Sequence, residues 1–74
     1  MTNEEKTAAL RASLGDSLKV TDDGAVFGVS WVNGPDRYEI AEPIGHLDAG
    51  RADNFRGRVL DVCLNVWTKI ERVG

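Results

Sequence analysis

The sequence is poor in the residues that build disulfide frameworks and metal centres, since Cys63 is its only cysteine and His46 its only histidine. One cysteine cannot form an internal disulfide, and small secreted domains usually depend on several, so we expect a protein of the reducing cytoplasm. A structural zinc site needs four Cys or His ligands and a catalytic one needs three protein ligands. We therefore expect neither a metal site nor a cofactor.

Long apolar runs are lacking as well. No stretch approaches the roughly 18 residues that cross a bilayer, and residues 1–6 have neither the basic nor the apolar region of a signal peptide. The chain contains no G-x-G-x-x-G motif between a strand and a helix and no G-K-[ST] phosphate loop. These absences predict that the protein binds neither a membrane nor a nucleotide.

Nucleophilic catalysis needs a nucleophile within hydrogen-bond reach of a base that a third group orients. The sequence offers only Cys63, His46 and Asp48 for these three roles. Cys63 falls on the apolar stripe of a predicted helix, where a free cysteine is normally a small buried hydrophobe, and His46 falls in a loop. We therefore predict that the chain is not an enzyme and that Cys63 is buried and chemically quiet.

What is present is an ordinary globular composition, with 42% hydrophobic and 28% charged residues in a chain of 74. A chain this short builds one core, so a single domain over residues 1–74 is expected. The net charge of -3 and the pI near 4.9 disfavour a phosphate backbone and favour a basic protein surface as partner. The competing interpretation is that the charge serves solubility alone.

A helix is predicted over residues 3–14. Thr2 followed three residues later by Glu5 fits a capping box, in which the threonine oxygen and the glutamate carboxylate each accept from an amide at the helix start. The interior is rich in residues of high helix propensity. Gly15 stands where a left-handed residue would end the helix.

Three strands are predicted, separated by two turn-forming segments. Residues 17–21, 25–32 and 37–42 alternate between apolar and polar side chains, and Asp22-Asp23-Gly24 and Asn33-Gly34-Pro35-Asp36 supply turn chemistry between them. In the second strand, one face carries Ala25, Phe27, Val29 and Trp31 and the other carries Val26, Gly28, Ser30 and Val32. In the third strand, Tyr38 and Ile40 are expected to point inward. An antiparallel sheet with the second strand in the centre is therefore expected.

A long helix is predicted over residues 51–72, because apolar residues recur there at three- and four-residue steps. It would run roughly 30 Å, enough to cross the sheet. Gly57 inside it costs about 1 kcal/mol against alanine, so a bend or the close approach of a neighbouring backbone is expected there. Before the helix, His46 or Asp48 is expected to precede or cap it.

The resulting fold class is α+β, with a three-stranded antiparallel sheet and two helices in the order α-β-β-β-α. This order is similar to that of the double-stranded-RNA-binding domain, which binds through a basic cluster at the start of its second helix and a loop between its first two strands. Here the helix opens with Arg51-Ala52-Asp53-Asn54-Phe55-Arg56 and the loop is Asp22-Asp23-Gly24. The resemblance is confined to element order, and nucleic acid is the least expected partner.

The long helix has more apolar surface than one sheet can cover. A helical wheel places one arc against the sheet, formed by Phe55, Val59, Val62, Val66, Ile70 and Val73. A second stripe is formed by Leu60, Leu64 and Trp67. Either the first helix or something outside the chain must cover this stripe.

These features predict a small, acidic, non-enzymatic module that binds a protein with a basic surface. The predicted contact residues are Asp22, Asp23, Asp36, Glu39, Leu60, Leu64 and Trp67. In length and charge the chain is similar to phage-encoded inhibitors such as anti-CRISPR proteins, and that resemblance implies occlusion of a basic, nucleic-acid-binding surface.

Two alternative functions remain open at this point. The first is a homodimeric structural or regulatory domain joined through the C-terminal helix. The second is a nucleic-acid binder that uses Arg51, Arg56, Arg58, Lys69 and Arg72.

Overall fold

The computed structural model describes residues 1–73, with side chains through Glu71. Two helices and three strands follow one another in the order α-β-β-β-α, which confirms the predicted α+β fold. The elements are α1 (Asn3–Leu14), a 3-10 turn (Gly15–Ser17), β1 (Lys19–Asp22), β2 (Val26–Asn33), β3 (Asp36–Pro43) and α2 (Ala49–Val73).

The start of α1 follows the predicted capping box only in part. The Thr2 hydroxyl oxygen accepts a hydrogen bond from the Glu5 N–H at 3.2 Å, as expected. The same hydroxyl donates to the Glu5 carboxylate at 3.3 Å, so this carboxylate contacts the threonine side chain and not its backbone amide. At the other end Gly15 takes a φ of 61° and donates its N–H to the Arg11 carbonyl, which ends the helix.

The sheet is an antiparallel meander in the order β1-β2-β3, so β2 is central as predicted. The β2–β3 hairpin is closed by the pair Asn33 and Asp36 around the two-residue turn Gly34-Pro35. Gly34 takes a φ of 60°, which the first central position of such a turn requires. Because β1 is only four residues long and β3 is eight, the two edges of the sheet differ in length.

The core lies between the helices and one face of the sheet. Its buried hydrophobic residues are Leu10, Leu18, Phe27, Val29, Trp31, Ile44, Ala52, Val59, Leu60 and Cys63. The Trp31 and Tyr38 rings stack at 5.1 Å, and the Phe27 and Phe55 rings meet edge to face at 6.4 Å. Phe27, Val29 and Trp31 share one face of β2 as predicted, and the structure shows that this face is the buried one, whereas Ala25 is exposed in the β1–β2 turn.

Polar contacts fix α1 against α2. The Lys6 ammonium lies 2.9 Å from the Asp61 carboxylate, and it donates to the Gly57 carbonyl at 3.4 Å. The Asn3 amide donates to the Asp53 carbonyl at 3.0 Å and to the Asp53 carboxylate at 2.8 Å. The close approach expected at Gly57 therefore occurs, but it is made by α1 side chains and not by a neighbouring backbone.

Helix α2 begins at Ala49, two residues before the predicted start. The Asp48 carboxylate accepts from the Arg51 N–H at 2.8 Å and so caps the helix, while His46 lies in the preceding loop. The 25 residues of α2 span about 37 Å at 1.5 Å per residue. The helix thus runs nearly the full 39 Å length of the molecule.

The side of α2 that faces the core differs from the predicted arc. Cys63 and Leu60 are 0% and 1% exposed, whereas Val62, which was expected to face the sheet, is 48% exposed. The reason is that α1 packs on the Leu60 side, so the buried arc is rotated toward that residue. Val62 is consequently left on the opposite flank of the helix.

Candidate interaction surfaces

The four predicted acidic contact residues do not form one surface. Asp22 pairs across the sheet with Phe27, at one end of β2, whereas Asp36 pairs with Asn33 at the other end. Six residues of strand separate these two positions, a distance of about 20 Å. Glu39 lies between the two ends, on the face of the sheet that the helices leave uncovered.

Asp22 forms an ion pair within the protein. Its carboxylate contacts the Arg56 guanidinium twice, at 2.7 Å from Nε and at 3.0 Å from Nη2. The guanidinium carbon lies 6.0 Å from the centre of the Phe27 ring, so the cation also packs on an aromatic face. This bond links the end of β1 to α2, and it explains why Arg56 sits on the inner side of its helix.

Asp23 organises the turn between β1 and β2. Its carboxylate accepts from the backbone N–H groups of Val26 at 2.8 Å and Ala25 at 3.0 Å. These two hydrogen bonds, the Val26 bond foremost, lower the pKa of the Asp23 carboxyl because they stabilise its charged form. Both aspartates of the predicted acidic turn therefore have structural roles.

Asp36 and Glu39 are exposed on β3, and neither takes part in an ion pair or side-chain hydrogen bond within the described residues. Arg37 stands between them and is equally exposed and unpaired in this part of the chain. These side chains are available to a partner. Of the predicted acidic set, the β3 members are thus the ones that a partner can reach without disrupting a bond in the fold.

The predicted apolar stripe divides between core and surface. Leu60 is 1% exposed and belongs to the core, because α1 covers it. Leu64 is half-buried and packs against the core cluster, as does Leu14 of α1. Trp67 is half-buried near the end of α2, and its indole N–H has no acceptor among the described residues. Only Leu64 and Trp67 therefore retain surface that a partner could contact.

The basic residues of the nucleic-acid alternative do not share one face. Arg56 is turned inward by Asp22. Arg51 lies 3.6 Å from Asp48, although both side chains remain exposed. Arg58 and Lys69 are exposed on the outer side of α2, and the side chain of Arg72 lies outside the described residues. Arg51, Arg58 and Lys69 are therefore exposed to solvent, whereas Arg56 is paired within the fold.

Cys63 has the properties of a core residue. It is fully buried, and desolvation raises the pKa of its thiol to about 11. A thiol with so high a pKa is a weak nucleophile at neutral pH. The predicted burial is confirmed, while the predicted low reactivity stays a prediction. Within the described part of the chain, no three His, Cys, Asp or Glu side chains come together as a metal site would require.

An open groove of about 480 Å³ lies between α1 and β1. Its floor is apolar and includes Val20, Phe27 and Leu60. Its rim includes Asp22 and Asp53, whose carboxylates are already engaged by Arg56 and Asn3. The groove shows that α1 lies on the β1 side of the sheet, so the Val62 flank of α2 points away from α1.

The outer edge of β3 is a feature that the sequence analysis missed. In a two-residue hairpin the closing pair is hydrogen-bonded, and bonded and non-bonded pairs then alternate along the strands. Counting from the closing pair Asn33 and Asp36, the backbone groups of Arg37, Glu39 and Ala41 point away from β2. No other described residue bonds to them. The outward N–H and C=O groups of these three residues are therefore open to pairing.

The flank of α2 that points away from α1 is partly apolar. Val62 is 48% exposed, and Phe55 and Val66 on the same side are half-buried. On β3 below, Tyr38 and Ile40 are also only half-buried. We call the outward backbone edge of β3 together with Phe55, Val62 and Val66 the β3 flank. It combines unpaired strand backbone with uncovered apolar surface.

None of the described helices is both long enough and apolar enough to span a bilayer. Comparisons with protein-family models, with curated proteins and with solved structures find no match to this chain.

Proposed function

We propose that this protein is a non-enzymatic module that binds another protein chain through the β3 flank. The observation that carries the proposal is the free edge of β3, and the exposed Val62 on the flank of α2 away from α1 supports it. An extended segment can add to such an edge as a further strand, with main-chain hydrogen bonds giving affinity and side chains giving specificity. A neighbouring apolar patch then supplies buried area.

The charges of β3 favour particular partners. The strand carries the acidic residues Asp36, Glu39 and Glu42 and a single basic residue, Arg37. In the form implied by the resemblance to phage inhibitors, these carboxylates would face a basic surface of a cytoplasmic target and occlude it. In the homodimeric form, Arg37 and Glu39 would each meet an opposite charge on a second copy.

A non-enzymatic role is supported by the placement of the residues that could carry chemistry. Cys63 is enclosed in the core with a raised thiol pKa. His46 is exposed in a loop, in a different part of the fold from this buried thiol. A nucleophile and a base that cannot meet do not form a catalytic pair.

Site-specific photocrosslinking tests the proposal. We would replace Glu39 by p-benzoylphenylalanine and, as a matched control, replace the exposed Ala12 on α1 by the same residue. We expect protein adducts from position 39 and none from position 12, because only the former lies on the β3 flank.

The edge itself is tested by adding Arg37→Pro to the position 39 probe. Proline removes an outward N–H without touching the hydrogen-bonded pairs with β2. Loss of the adducts is expected, with circular dichroism confirming that the variant is folded. Adducts that arise equally from both probe positions, or that survive this proline, would contradict binding through the edge.

A further inference from the structure

We infer that the occupant of the β3 flank is a second copy of this chain, paired antiparallel through β3 about a two-fold axis at Tyr38. This inference rests on the proposed function and names its partner. The result would be a continuous six-stranded sheet with both α2 helices on the same side of it.

The first argument is the charge pattern of the outward residues. Arg37 and Glu39 are two residues apart, and both direct their backbone groups to the open edge and their side chains to the uncovered face. An axis at Tyr38 places each Arg37 opposite Glu39 of the second copy, so the two pairs of opposite charges form at once. Arg37 has no ion-pair partner among the described residues of one copy. A uniformly basic partner would leave it facing like charge.

Charge also distinguishes this register from its neighbours. An axis at Glu39 would set Glu39 opposite itself, which is repulsive. An axis at Ile40 would set Glu39 opposite Ala41 and Arg37 opposite Pro43, so it would form about six backbone hydrogen bonds but no pair of opposite charges. The axis at Tyr38 forms about four backbone hydrogen bonds and both pairs of Arg37 with Glu39. Charge, and not the number of backbone hydrogen bonds, therefore selects this register.

The third argument concerns the face under the helices. On the axis, Tyr38 lies directly beside Tyr38 of the second copy as a non-hydrogen-bonded pair, the closer kind. Each Tyr38 already stacks on its own Trp31 at 5.1 Å, so the aromatic row would continue across the interface. The half-exposed Val62 of each copy would then lie on the same side of the joined sheet as the aromatic row.

Charge reversal with complementation tests the register. By sedimentation or light scattering, we expect the wild-type chain to be dimeric at high micromolar concentration. Arg37→Glu and Glu39→Arg should each weaken self-association at least about tenfold, because each creates two like-charge pairs. A mixture of these two variants should form heterodimers, and the double variant R37E/E39R should recover dimers. Arg58→Glu, which changes the net charge by the same amount as R37E on the outer side of α2, should remain dimeric.

A crosslink tests the axis independently of charge. In a Cys63→Ala background, Tyr38→Cys should form an intermolecular disulfide on mild oxidation, since the Cα atoms of a non-hydrogen-bonded pair lie within disulfide range. Arg37→Cys should not, because its neighbour is residue 39 of the second copy. This readout still applies if a charge variant fails to fold.

The outcomes separate the inference from the function on which it rests. A wild-type chain that stays monomeric, or a dimer indifferent to both charge reversals, overturns the inference. If position 39 then still crosslinks to a foreign protein, binding through the β3 flank stands without the second copy. If neither a dimer nor an adduct forms, both proposals fall.

Discussion

The two flanks of α2 differ in what covers them. On the α1 side, Leu60 is buried and polar contacts from Lys6 and Asn3 hold the two helices together. On the side away from α1, Val62 is 48% exposed, and the outer edge of β3 has no neighbour among the described residues. Both flanks are apolar in sequence, but only one is covered by the chain itself.

The difference arises because a chain of 74 residues has few elements that can cover α2. One 12-residue helix and one sheet can cover only part of the circumference of a 25-residue helix. Polar contacts at Asp53, Gly57 and Asp61 fix which part α1 takes. Apolar surface that remains exposed afterwards marks the place where a partner adds most burial.

The largest expected contrast between the flanks comes from trimming one side chain on each. Leu60→Ala should lower the free energy of unfolding by about 2–5 kcal/mol, because it leaves a cavity under α1. Val62→Ala should change it by less than about 0.5 kcal/mol in the monomer, since that side chain is half in water. Urea unfolding of both variants at concentrations below self-association measures the contrast. Equal losses would mean that the two flanks are equally buried.

A charge placed at Leu64 tests how far the flank that α1 covers extends toward the end of α2. Leu64→Glu should lower the free energy of unfolding by about 1–3 kcal/mol, because Leu64 is half-buried against the core. The molecular mass by light scattering should follow that of the wild-type chain. An unchanged melting temperature together with lost association would instead assign Leu64 to an interface.

Cys63 lies between the two flanks, and its ionisation reports on the integrity of the core. The folded thiol has a pKa of about 11, above the value of 9.0 for an unperturbed thiol. The unfolded chain therefore loses this proton at lower pH than the folded chain, so the stabilising contribution is complete below about pH 9 and is lost between pH 9 and 11. Unfolding curves across this range should show that Cys63→Ala removes this part of the alkaline loss. Identical pH dependence in both proteins would show that the thiol is not desolvated.

The smallest expected change in the free energy of unfolding comes from Gly57, on the flank of α2 that α1 covers. Alanine normally gains up to about 1 kcal/mol over glycine within a helix. At Gly57, however, a Cβ would lie 3.0 Å from the Asn3 carboxamide oxygen and 3.6 Å from the Lys6 ammonium. Because Asn3 is held by Asp53, we expect Gly57→Ala to be neutral within about 0.5 kcal/mol. The usual gain should return in an Asn3→Ala background, and a full gain with Asn3 present would show that the helices are not closely packed there.

The elements themselves were predictable because local patterns specify them. The predicted bounds of α1 hold, and α2 begins two residues earlier than its pattern indicated. The turns fall within the predicted segments, but Asp22, Asn33 and Asp36 belong to the strands, and β1 begins at Lys19 and not at residue 17. The alternation along β2 grouped Phe27, Val29 and Trp31 on one face because side chains alternate with a period of two, and the structure shows that this face is the buried one.

The arrangement between distant parts of the chain was not predictable. The position of α1 decides whether Leu60 or Val62 faces the core. The sequence around these two residues does not specify where α1 packs. The pairing of Asp22 with Arg56 joins residues 34 positions apart and turns a predicted surface charge into a structural one. The free edge of β3 follows from strand order, which hydrophobic patterning does not specify.

The polar contacts of α1 also have a consequence for how the protein opens. Helix α1 is the first element of the chain and packs on α2, which is the last. Its contacts therefore join residues about 50 positions apart in the sequence. An element at one end of the chain that is held mainly through one neighbouring helix tends to form a separate unit of local unfolding. Native-state hydrogen exchange should then find the α1 amides exchanging at lower free energy than those of β2. In that partly open state Leu60 would briefly reach solvent while the sheet remains intact.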